Sequence, residues 1–278
     1  MIEINNLGFS YGQTSVLDNI TMKLEPGRIY GLLGENGVGK TTLLTLLCGL
    51  KKAQTGTIVV DGANPYRREP SLLSKQYYLP DEVAAIPDRA INWAMTSGKF
   101  WPGFSLDKFR EIMGVFENDC SRKMNQMSAG QLKKTHISFA LACSTSFLYM
   151  DEPTNGLDIP GKAQFRSALM KYTSEQSTIV ISTHQVRDLE NIIDPIIILD
   201  KQSVLLNESM ENISRKLFFD YGTTLHPETL YTEQLPGGFI QVCPNTTGAD
   251  SKVNIEALFN ACHKHKNLIK GMFNNNQE

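Results

Sequence analysis

The chain has 278 residues, 41% of them hydrophobic, and its 27 Lys and Arg residues nearly balance its 29 Asp and Glu residues. Such a chain can bury a sizeable core; it has no basic excess that would indicate a duplex nucleic-acid partner and no acidic block that would indicate a solvating tail. No run approaches ~18 apolar residues and the first residues lack a signal-peptide pattern, so we expect a cytoplasmic protein. The cysteines form no C-x-x-C pair, so we expect reduced thiols and no zinc site.

The first predicted elements bracket a glycine-rich loop. "IEINNLGFSY" and "GTIVVDG" alternate like β-strands, and between them the apolar run "IYGLL" precedes "GENGVGKTT", residues 34–42. Four leucines then mark one face of a helix that stops at Gly49. Gly34, Gly37 and Gly39 allow backbone angles closed to other residues, so successive N–H groups can converge on an anion at the positive end of the helix.

The loop has the spacing G-x-x-x-x-G-K-[ST] of the P-loop pattern, in the strand–loop–helix context that the pattern requires. Lys40 adds a point charge, and Thr41 adds a hydroxyl suited to Mg²⁺. The alternative is an ordinary glycine-rich turn, but at ordinary composition a chain of this length would show the pattern by chance about once in a hundred cases. The loop therefore predicts a phosphate ligand.

Helical stretches alternate with apolar runs in the next part of the chain. Residues 82 to about 140 read as an inserted helical subdomain. Three buried strands are predicted at "FLYMD" (147–151), "TIVIS" (178–182) and "IIILD" (196–200). This alternation predicts a mostly parallel sheet whose ligands lie beyond the carboxyl ends of its strands.

The character of the sequence changes after about residue 205. Short strands and a final helix, "VNIEALFNACHKHKNLIK", are expected there. We therefore divide the chain into a first domain of residues 1–205 and a small C-terminal domain of residues 206–278.

The run "FLYMD" brings two adjacent carboxylates to the end of its strand. The first, Asp151, can hold a Mg²⁺-bound water, as the aspartate of P-loop enzymes commonly does. The second, Glu152, can then polarise the attacking water. The alternative is a solvated strand end, but here an apolar run comes immediately before the pair.

Residues 127–143, "MSAGQLKKTHISFALAC", begin with small polar residues at a predicted helix start and continue as an amphipathic helix. Ser128 alone reads as an N-cap. The P-loop, "SAGQ", "DEPTNGLD" and "STHQ" occur in an order and spacing that closely resemble the nucleotide-binding subunit of ATP-binding cassette (ABC) transporters. The resemblance covers residues 1 to about 205, and four ordered motifs make it highly specific.

The resemblance implies a site for ATP and Mg²⁺ around the P-loop. Lys40 would contact the β- and γ-phosphates, and Thr41 would contact Mg²⁺. Asp151 resembles the Walker B carboxylate, and Glu152 resembles the general base for hydrolysis. The residues similar to the Walker A loop are Gly34, Glu35, Asn36, Gly37, Val38, Gly39, Lys40, Thr41 and Thr42.

Other positions resemble family residues that surround the same nucleotide. Ser128 and Gly130, in the signature motif, would contact the γ-phosphate of ATP held by the other protomer. Asp158 matches the D-loop position, which crosses the dimer interface. His184 resembles the catalytic switch histidine that reaches the γ-phosphate, and Tyr11 lies where the family stacks an aromatic ring on adenine. Taken alone, the histidine reads as structural and the tyrosine as an edge-strand aromatic, but the order of the motifs favours the functional roles.

The sequence departs from the family pattern in two motifs. The signature carries Met127 and Ala129 where leucine and glycine are usual, although the residues expected to touch phosphate are present. In place of the usual Q-loop glutamine, "QYYLPDE" puts Asp81 after the predicted strand end, while Gln76 precedes it. Because a carboxylate is a suitable ligand for a hard cation, we assign the Mg²⁺-side role to Asp81.

By this resemblance we expect an α/β P-loop NTPase with the ABC-ATPase fold: a mostly parallel sheet core, an antiparallel β lobe, a helical subdomain and a small C-terminal α+β extension. The chain would hydrolyse ATP as a homodimer or with a paralogous ATPase. Separate transmembrane permease subunits would hold it at the inner face of the cell membrane. "FWPGF" and the extended tail indicate a subgroup that serves exporter-like permeases.

Two alternatives stay open. One is a soluble ABC ATPase not coupled to transport, although the chain has one cassette and no heptad run. The other makes the tail a regulatory module for a small ligand. In that case Cys262, His263 and His265 of "CHKHK" are candidate metal ligands, although a solvated helix face is the simpler interpretation.

Overall fold

Residues 1–274, the part of the chain that a computed structural model describes, contain both strands and helices. This part contains twelve strands, nine α-helices and four short 3₁₀-helices. The strands are β1 (Ile2–Tyr11), β2 (Thr14–Leu24), β3 (Ile29–Leu33), β4 (Thr55–Val60), β5 (Gln76–Leu79), β6 (Phe147–Asp151), β7 (Thr178–Thr183), β8 (Ile196–Asp200), β9 (Ser203–Glu208), β10 (Leu217–Gly222), β11 (Tyr231–Leu235) and β12 (Gly238–Pro244). The helices are α1 (Lys40–Leu47), α2 (Pro70–Leu73), α3 (Ala90–Ser97), α4 (Leu106–Val115), α5 (Ala129–Ala142), α6 (Ile159–Tyr172), α7 (Met210–Lys216), α8 (Ile255–Lys264) and α9 (Lys266–Asn274).

Six strands form the central sheet, in the order β5-β6-β7-β3-β8-β9. The first five are parallel, and β9 pairs antiparallel with β8 at one edge. Every residue of β6, β7 and β8 is buried, as expected for parallel strands that are covered on both faces. These strands coincide with the three apolar runs of the sequence, and β7 extends to Thr183.

The two faces of the sheet pack against different elements because side chains alternate along a strand. Leu148 and Met150 of β6 belong to a hydrophobic cluster that includes residues of α5 and α6. Tyr149, between them, belongs to a second cluster with the leucines of α1 and the three-stranded antiparallel sheet β2-β1-β4. None of the helices within residues 1–274 is long and apolar enough to cross a membrane.

The carboxyl ends of β3, β6 and β7 lie side by side, since β7 pairs in parallel with both of the others. The chain that leaves β3 enters the glycine-rich loop, and the chain that leaves β7 leads to His184. In the register of the sheet, Asp151 lies beside Ser182, and Leu33 lies beside Thr183. The carboxyl ends of these strands therefore bring the polar residues of several motifs close together.

A cluster of aromatic rings joins the helical segment to the sheet. Trp93, Trp101 and Phe104 pack around Phe139 of α5, with ring centroids 4.5, 5.7 and 5.3 Å away. Tyr77 of β5 lies 5.7 Å from the same ring. The cluster thus ties α3 and α5 to the edge strand of the sheet.

The C-terminal part has a sheet of its own, in the order β10-β12-β11, together with α7, α8 and α9. The sequence predicts one final helix, but the structure has two, because the backbone leaves the helical region at His265 (φ −126, ψ 50). This turn brings Ile269 and Phe273 of α9 into the hydrophobic core with residues of β9. It also lets Lys266 pair with the buried Asp200.

Candidate functional site

The loop between β3 and α1 depends on glycines with left-handed backbone angles. Gly37 has φ 79, and Gly39, the N-cap of α1, has φ 111. A Cβ on Gly39 would lie 2.9 Å from Cγ1 of Val16, so both the backbone angle and the neighbouring strand favour glycine. The loop therefore leads into the N-terminus of α1, where backbone N–H groups stabilise an anion.

Lys40 is a buried cation at the start of α1, with 6% of its surface exposed. Its Nζ donates to the carbonyl oxygens of Gly34 at 2.7 Å and Glu35 at 3.2 Å, and lies 3.7 Å from Oε1 of Glu152. Burial lowers the pKa of Lys40, while the carboxylates of Glu152 and Asp151 act in the opposite direction. The ammonium is thus held inside the loop by weak partners that an anionic ligand can replace.

Asp151 is buried at the end of β6, and each of its carboxylate oxygens has a partner. Oδ2 accepts from the Thr41 hydroxyl at 2.6 Å and from the Tyr78 hydroxyl at 3.4 Å. Oδ1 accepts from the Ser182 hydroxyl. The carboxylate and the Thr41 hydroxyl are oxygen donors of the kind that Mg²⁺ prefers, so these residues fit that cation.

Glu152 has a backbone angle that is uncommon for a residue with a side chain, φ 44. Its N–H donates to the hydroxyl of Ser182 at 3.0 Å and to the carbonyl of the same residue at 3.2 Å. Its Oε2 lies 3.0 Å from Nδ1 of His184 and accepts from the His184 N–H at 3.3 Å. Ser182 of β7 thus holds the backbone of Glu152, while the Glu152 side chain lies between His184 and Lys40.

A cleft of about 360 Å³ opens beside these side chains. Its lining combines the loop, the strand-end carboxylates and residues of the antiparallel lobe: Tyr11, Val16, Asn36, Gly37, Gly39, Lys40, Thr41, Thr42, Asp81, Asp151 and Glu152. The lining thus combines a cation and the N-terminus of α1 with carboxylates that can hold a cation. This arrangement suits a phosphate chain with a bound divalent cation.

Tyr11 lies at the mouth of the cleft and is 48% exposed. Its hydroxyl lies 3.3 Å from Oγ1 of Thr42, and the Lys51 ammonium lies 4.9 Å from the centroid of its ring. Phe9 contacts the same ring edge-on, with centroids 5.0 Å apart. An exposed and supported aromatic ring in this position can stack on a flat ligand group.

The other Walker A positions shape the loop. Glu35 is exposed, and its carbonyl accepts from the N–H of Val38 at 3.4 Å. Cγ1 of Val38 would lie 2.5 Å from a Cβ built on Gly34, so this position accommodates only glycine. These three residues set the path of the backbone and do not line the cleft.

Asp81 and Gln76 lie at opposite ends of β5. Gln76 is buried at the start of the strand, where its amide donates to the carbonyl of Cys48 at 3.0 Å. Asp81 follows the strand and lines the cleft with Asp151. Lys133 of α5 donates to the backbone carbonyl of Asp81 at 2.6 Å. Of the two candidates, only the aspartate lies at the cleft.

The signature motif and the D-loop aspartate lie outside this cleft. Ser128 is exposed at the N-terminus of α5, where its hydroxyl and the Gln131 side chain form a capping box. Gly130 is close to the next loop, since an added Cβ would lie 3.3 Å from the carbonyl of Gly156. Asp158 caps α6 by accepting from the N–H of Gly161 at 3.0 Å. One chain alone therefore does not bring these residues to its own P-loop.

Sequence reasoning missed three residues that support the site. Ser182 holds both Asp151 and the backbone of Glu152, Tyr78 contacts Asp151, and Lys133 holds the loop of Asp81. Ser182 carries a usable signal, because it is a small polar residue at the carboxyl end of a buried strand. The positions of Tyr78 and Lys133 depend on how β5 and α5 pack.

Comparisons with known proteins point to the family that the motifs resemble. The sequence model of the family described as "ABC transporter" matches residues 17–155. The lantibiotic transport ATP-binding protein SrtF of Streptococcus pyogenes is 30% identical over 213 residues, which cover 76% of this chain and 92% of that protein. The chain belongs to the family of ABC transporter nucleotide-binding subunits. The family resemblance seen in the sequence is confirmed.

Two further similarities extend over most of the chain. An uncharacterised ABC transporter ATP-binding protein of Methanocaldococcus jannaschii is 28% identical over 242 residues, or 84% of this chain and 88% of that protein. A solved dimeric ATP-binding cassette, bound to ADP and phosphate in a post-hydrolysis state, has a TM-score of 0.66 at 23% identity and covers 75% of this chain and 98% of its own. The predicted ABC-ATPase fold is confirmed.

Proposed function

We propose that this chain binds and hydrolyses ATP, dimerises around two ATP molecules and drives a separate membrane permease. The observation that carries the proposal is the meeting of Lys40, Thr41, Asp151 and Glu152 at one cleft, although the two pairs are more than a hundred residues apart. The family assignment supports the same activity.

In the proposed reaction Glu152 accepts a proton from the attacking water. Its 3.0 Å contact with His184 orients the carboxylate, and Lys40, 3.7 Å away, compensates the negative charge of the phosphates. Thr41, Asp151 and Asp81 would hold Mg²⁺, which when bound supplies positive charge to the phosphate oxygens. The chain itself contributes a positioned base and a fixed cation.

The dimer proposal is supported by the position of Ser128, which is exposed, and Gly130, which is partly buried, outside the cleft of their own chain. In a symmetric pair, the N-terminus of α5 from one protomer can cover the P-loop of the other, so that each ATP lies between two chains. The solved cassette similar in fold to this chain is described as dimeric with ADP and phosphate. A paralogous ATPase is the other possible partner.

The permease proposal is supported by an apolar groove between α2, β5 and the turn before α4. The groove has a volume of about 720 Å³ and contains Leu50, Phe100 and Trp101. Phe100 is 75% exposed and Leu50 is 54% exposed, which is unusual for large apolar side chains in one groove. We propose that a permease segment binds there, which would hold the chain at the inner face of the cell membrane. An exporter fits the name of SrtF, a lantibiotic transport protein.

We also propose that residues 206–278 form a small C-terminal domain. The proposal rests on the separate sheet β10-β12-β11 and on the helices that follow it. The segment contacts the chain after His184 through Arg187 and Glu256, whose side chains lie 2.7 Å apart. It is therefore positioned to influence the switch histidine.

The dimer is tested with the Glu152→Gln variant, which is expected to bind ATP without hydrolysing it. Size-exclusion chromatography with light scattering in Mg²⁺ and ATP should give twice the 31.0 kDa mass of one chain, and in Mg²⁺ and ADP a single chain. The matched control adds Ser128→Asp, because aspartate remains a good N-cap but repels the phosphate of the partner. This double variant should bind ATP and stay monomeric.

Each outcome bears on one part of the proposal. If the Glu152→Gln variant binds ATP and remains monomeric, the proposal of an ATP-bridged homodimer is wrong. If the wild-type chain binds no ATP, the proposed ATP-binding function itself is wrong.

For the permease groove, Leu50→Glu and Phe100→Glu should reduce the share of the chain recovered with membranes of its own cells. Met170→Glu is the control, since Met170 is 59% exposed on α6, outside the groove. Equal membrane recovery of all variants would favour an ATPase that is not coupled to transport.

A further inference from the structure

Lys133 is a buried lysine on α5, five positions after Ser128, with 4% of its surface exposed. Its Nζ donates to the carbonyl oxygens of Asp81 at 2.6 Å and Pro80 at 3.4 Å, and lies 3.4 Å from the Asp81 carboxylate. A buried ammonium is costly unless it is paired and hydrogen-bonded. The loop after β5 supplies all of these partners.

Asp81 is also held from a second side. The amide of Asn155 lies 3.3 and 3.4 Å from the two carboxylate oxygens of Asp81. Asn155 lies three residues after Glu152, and its backbone N–H donates to the Glu152 carbonyl at 3.1 Å. Asp81 is therefore held between α5 and the loop that follows the proposed general base. It also lines the nucleotide cleft.

The distances indicate what Lys133 does to Asp81. The short contact, 2.6 Å, is to the backbone carbonyl, whereas the carboxylate is 3.4 Å away. Lys133 thus bonds mainly to the backbone of the loop and only weakly to the Asp81 carboxylate. The side chain of Asp81 is 40% exposed, so its oxygens remain accessible from the cleft.

We propose that Lys133 is a positioning residue that holds Asp81 at the Mg²⁺ side of the nucleotide cleft and so links the signature helix α5 to nucleotide binding. The proposal rests on the proposed ATP-binding function. It assigns to Lys133 an effect on the Mg²⁺-dependent part of nucleotide affinity, because only that part involves Asp81. The affinity measured without Mg²⁺ depends on the P-loop and stays the same.

The test measures binding of fluorescent methylanthraniloyl-ATP to the purified full chain, first with EDTA and then as Mg²⁺ is added. Lys133→Met should raise the Mg²⁺ concentration for half-maximal enhancement of binding about 10- to 100-fold, the usual effect of losing a residue that supports a metal ligand. Affinity in EDTA should change less than about twofold. Lys133→Arg should retain more of the Mg²⁺ response than Lys133→Met, since it keeps a positive charge and N–H donors on a bulkier group.

Lys108→Met is the matched control. Lys108 is partly buried and, like Lys133, donates to a backbone carbonyl, that of Tyr172, at 2.7 Å, but it lies outside the nucleotide cleft. Lys108→Met and Lys133→Met should both lower the melting temperature, but Lys108→Met should leave the Mg²⁺ response unchanged. If Lys133→Met does not fold, Lys133→Gln replaces it, since its uncharged amide ends one bond short of the lysine Nζ and should also shift the Mg²⁺ response.

A double-mutant cycle with Asp81→Asn completes the test. If Lys133 acts through Asp81, the double variant Asp81→Asn/Lys133→Met should show no larger shift than Asp81→Asn alone. Additive shifts, an unchanged Mg²⁺ response, or tighter Mg²⁺ binding in Lys133→Met would each overturn the proposal. Those results differ from failure of the ATP-binding function, in which the wild-type chain itself would bind no nucleotide.

Discussion

Replacing Glu152 with glutamine isolates the chemical step, because the surroundings of this side chain are closely defined. The carboxylate is buried and contacts His184 at 3.0 and 3.3 Å and Lys40 at 3.7 Å. Glutamine has nearly the same volume, and its amide oxygen can still accept from the His184 N–H. It cannot take a proton from water. The variant therefore removes the proposed base and keeps the shape of the site.

The expected loss follows from these contacts. A positioned general base contributes about 10²- to 10⁴-fold to a rate, which corresponds to roughly 3–5 kcal/mol in the barrier. Bound phosphates replace Glu152 as the partner of Lys40, so ATP affinity should change less than about threefold. We expect the turnover number to fall by this factor while nucleotide binding persists.

Phosphate release by the purified chain at saturating Mg²⁺ and ATP measures the turnover, and fluorescent nucleotide titration measures binding. Glu152→Ala serves as the comparison, because it removes both the base and the contacts with His184. It should lose at least as much activity. Hydrolysis at the wild-type rate in Glu152→Gln would refute the assignment of this residue as the base.

Four further predictions use separate assays. Lys40→Ala should weaken ATP binding by at least about tenfold, since the variant lacks a buried charge on the phosphates; unchanged titrations would contradict the P-loop role. Tyr11→Ala should raise the Michaelis constant for ATP about three- to tenfold with little effect on turnover, while Tyr11→Phe stays close to wild type; equal effects would exclude stacking. Burial raises the pKa of Cys48 to about 11, so its thiol stays protonated at pH 8 and becomes reactive only as the pH approaches that value. Peptide mass spectrometry after iodoacetamide treatment at pH 8 should find the partly exposed Cys120 labelled before Cys48, and the reverse order would contradict the burial. Phe109→Ala, at a position that is 0% exposed, should cost about 3–5 kcal/mol in denaturant unfolding, and a loss below about 1 kcal/mol would mean that α4 is loosely packed.

The sequence by itself determined the elements whose signals are local. The strands β6, β7 and β8 are uninterrupted apolar runs because both faces of a parallel sheet are buried, and this pattern is readable without a partner. The glycine spacing of the P-loop is equally local, since it reflects backbone angles such as φ 111 at Gly39. Motif order then identified the family and the candidate residues.

Only the tertiary structure decided which distant groups meet. Ser182 reaches Asp151 because β6 and β7 pair in the register that puts these two residues side by side, and strand register leaves no mark in either run alone. The antiparallel edge strand β9 and the division of the last helix at His265 also depend on packing against the finished core. Lys133 is the clearest example of a contact that the sequence alone did not predict. A lysine on an amphipathic helix ordinarily lies in solvent, and its burial against Asp81 exists only because α5 packs beside the end of β5.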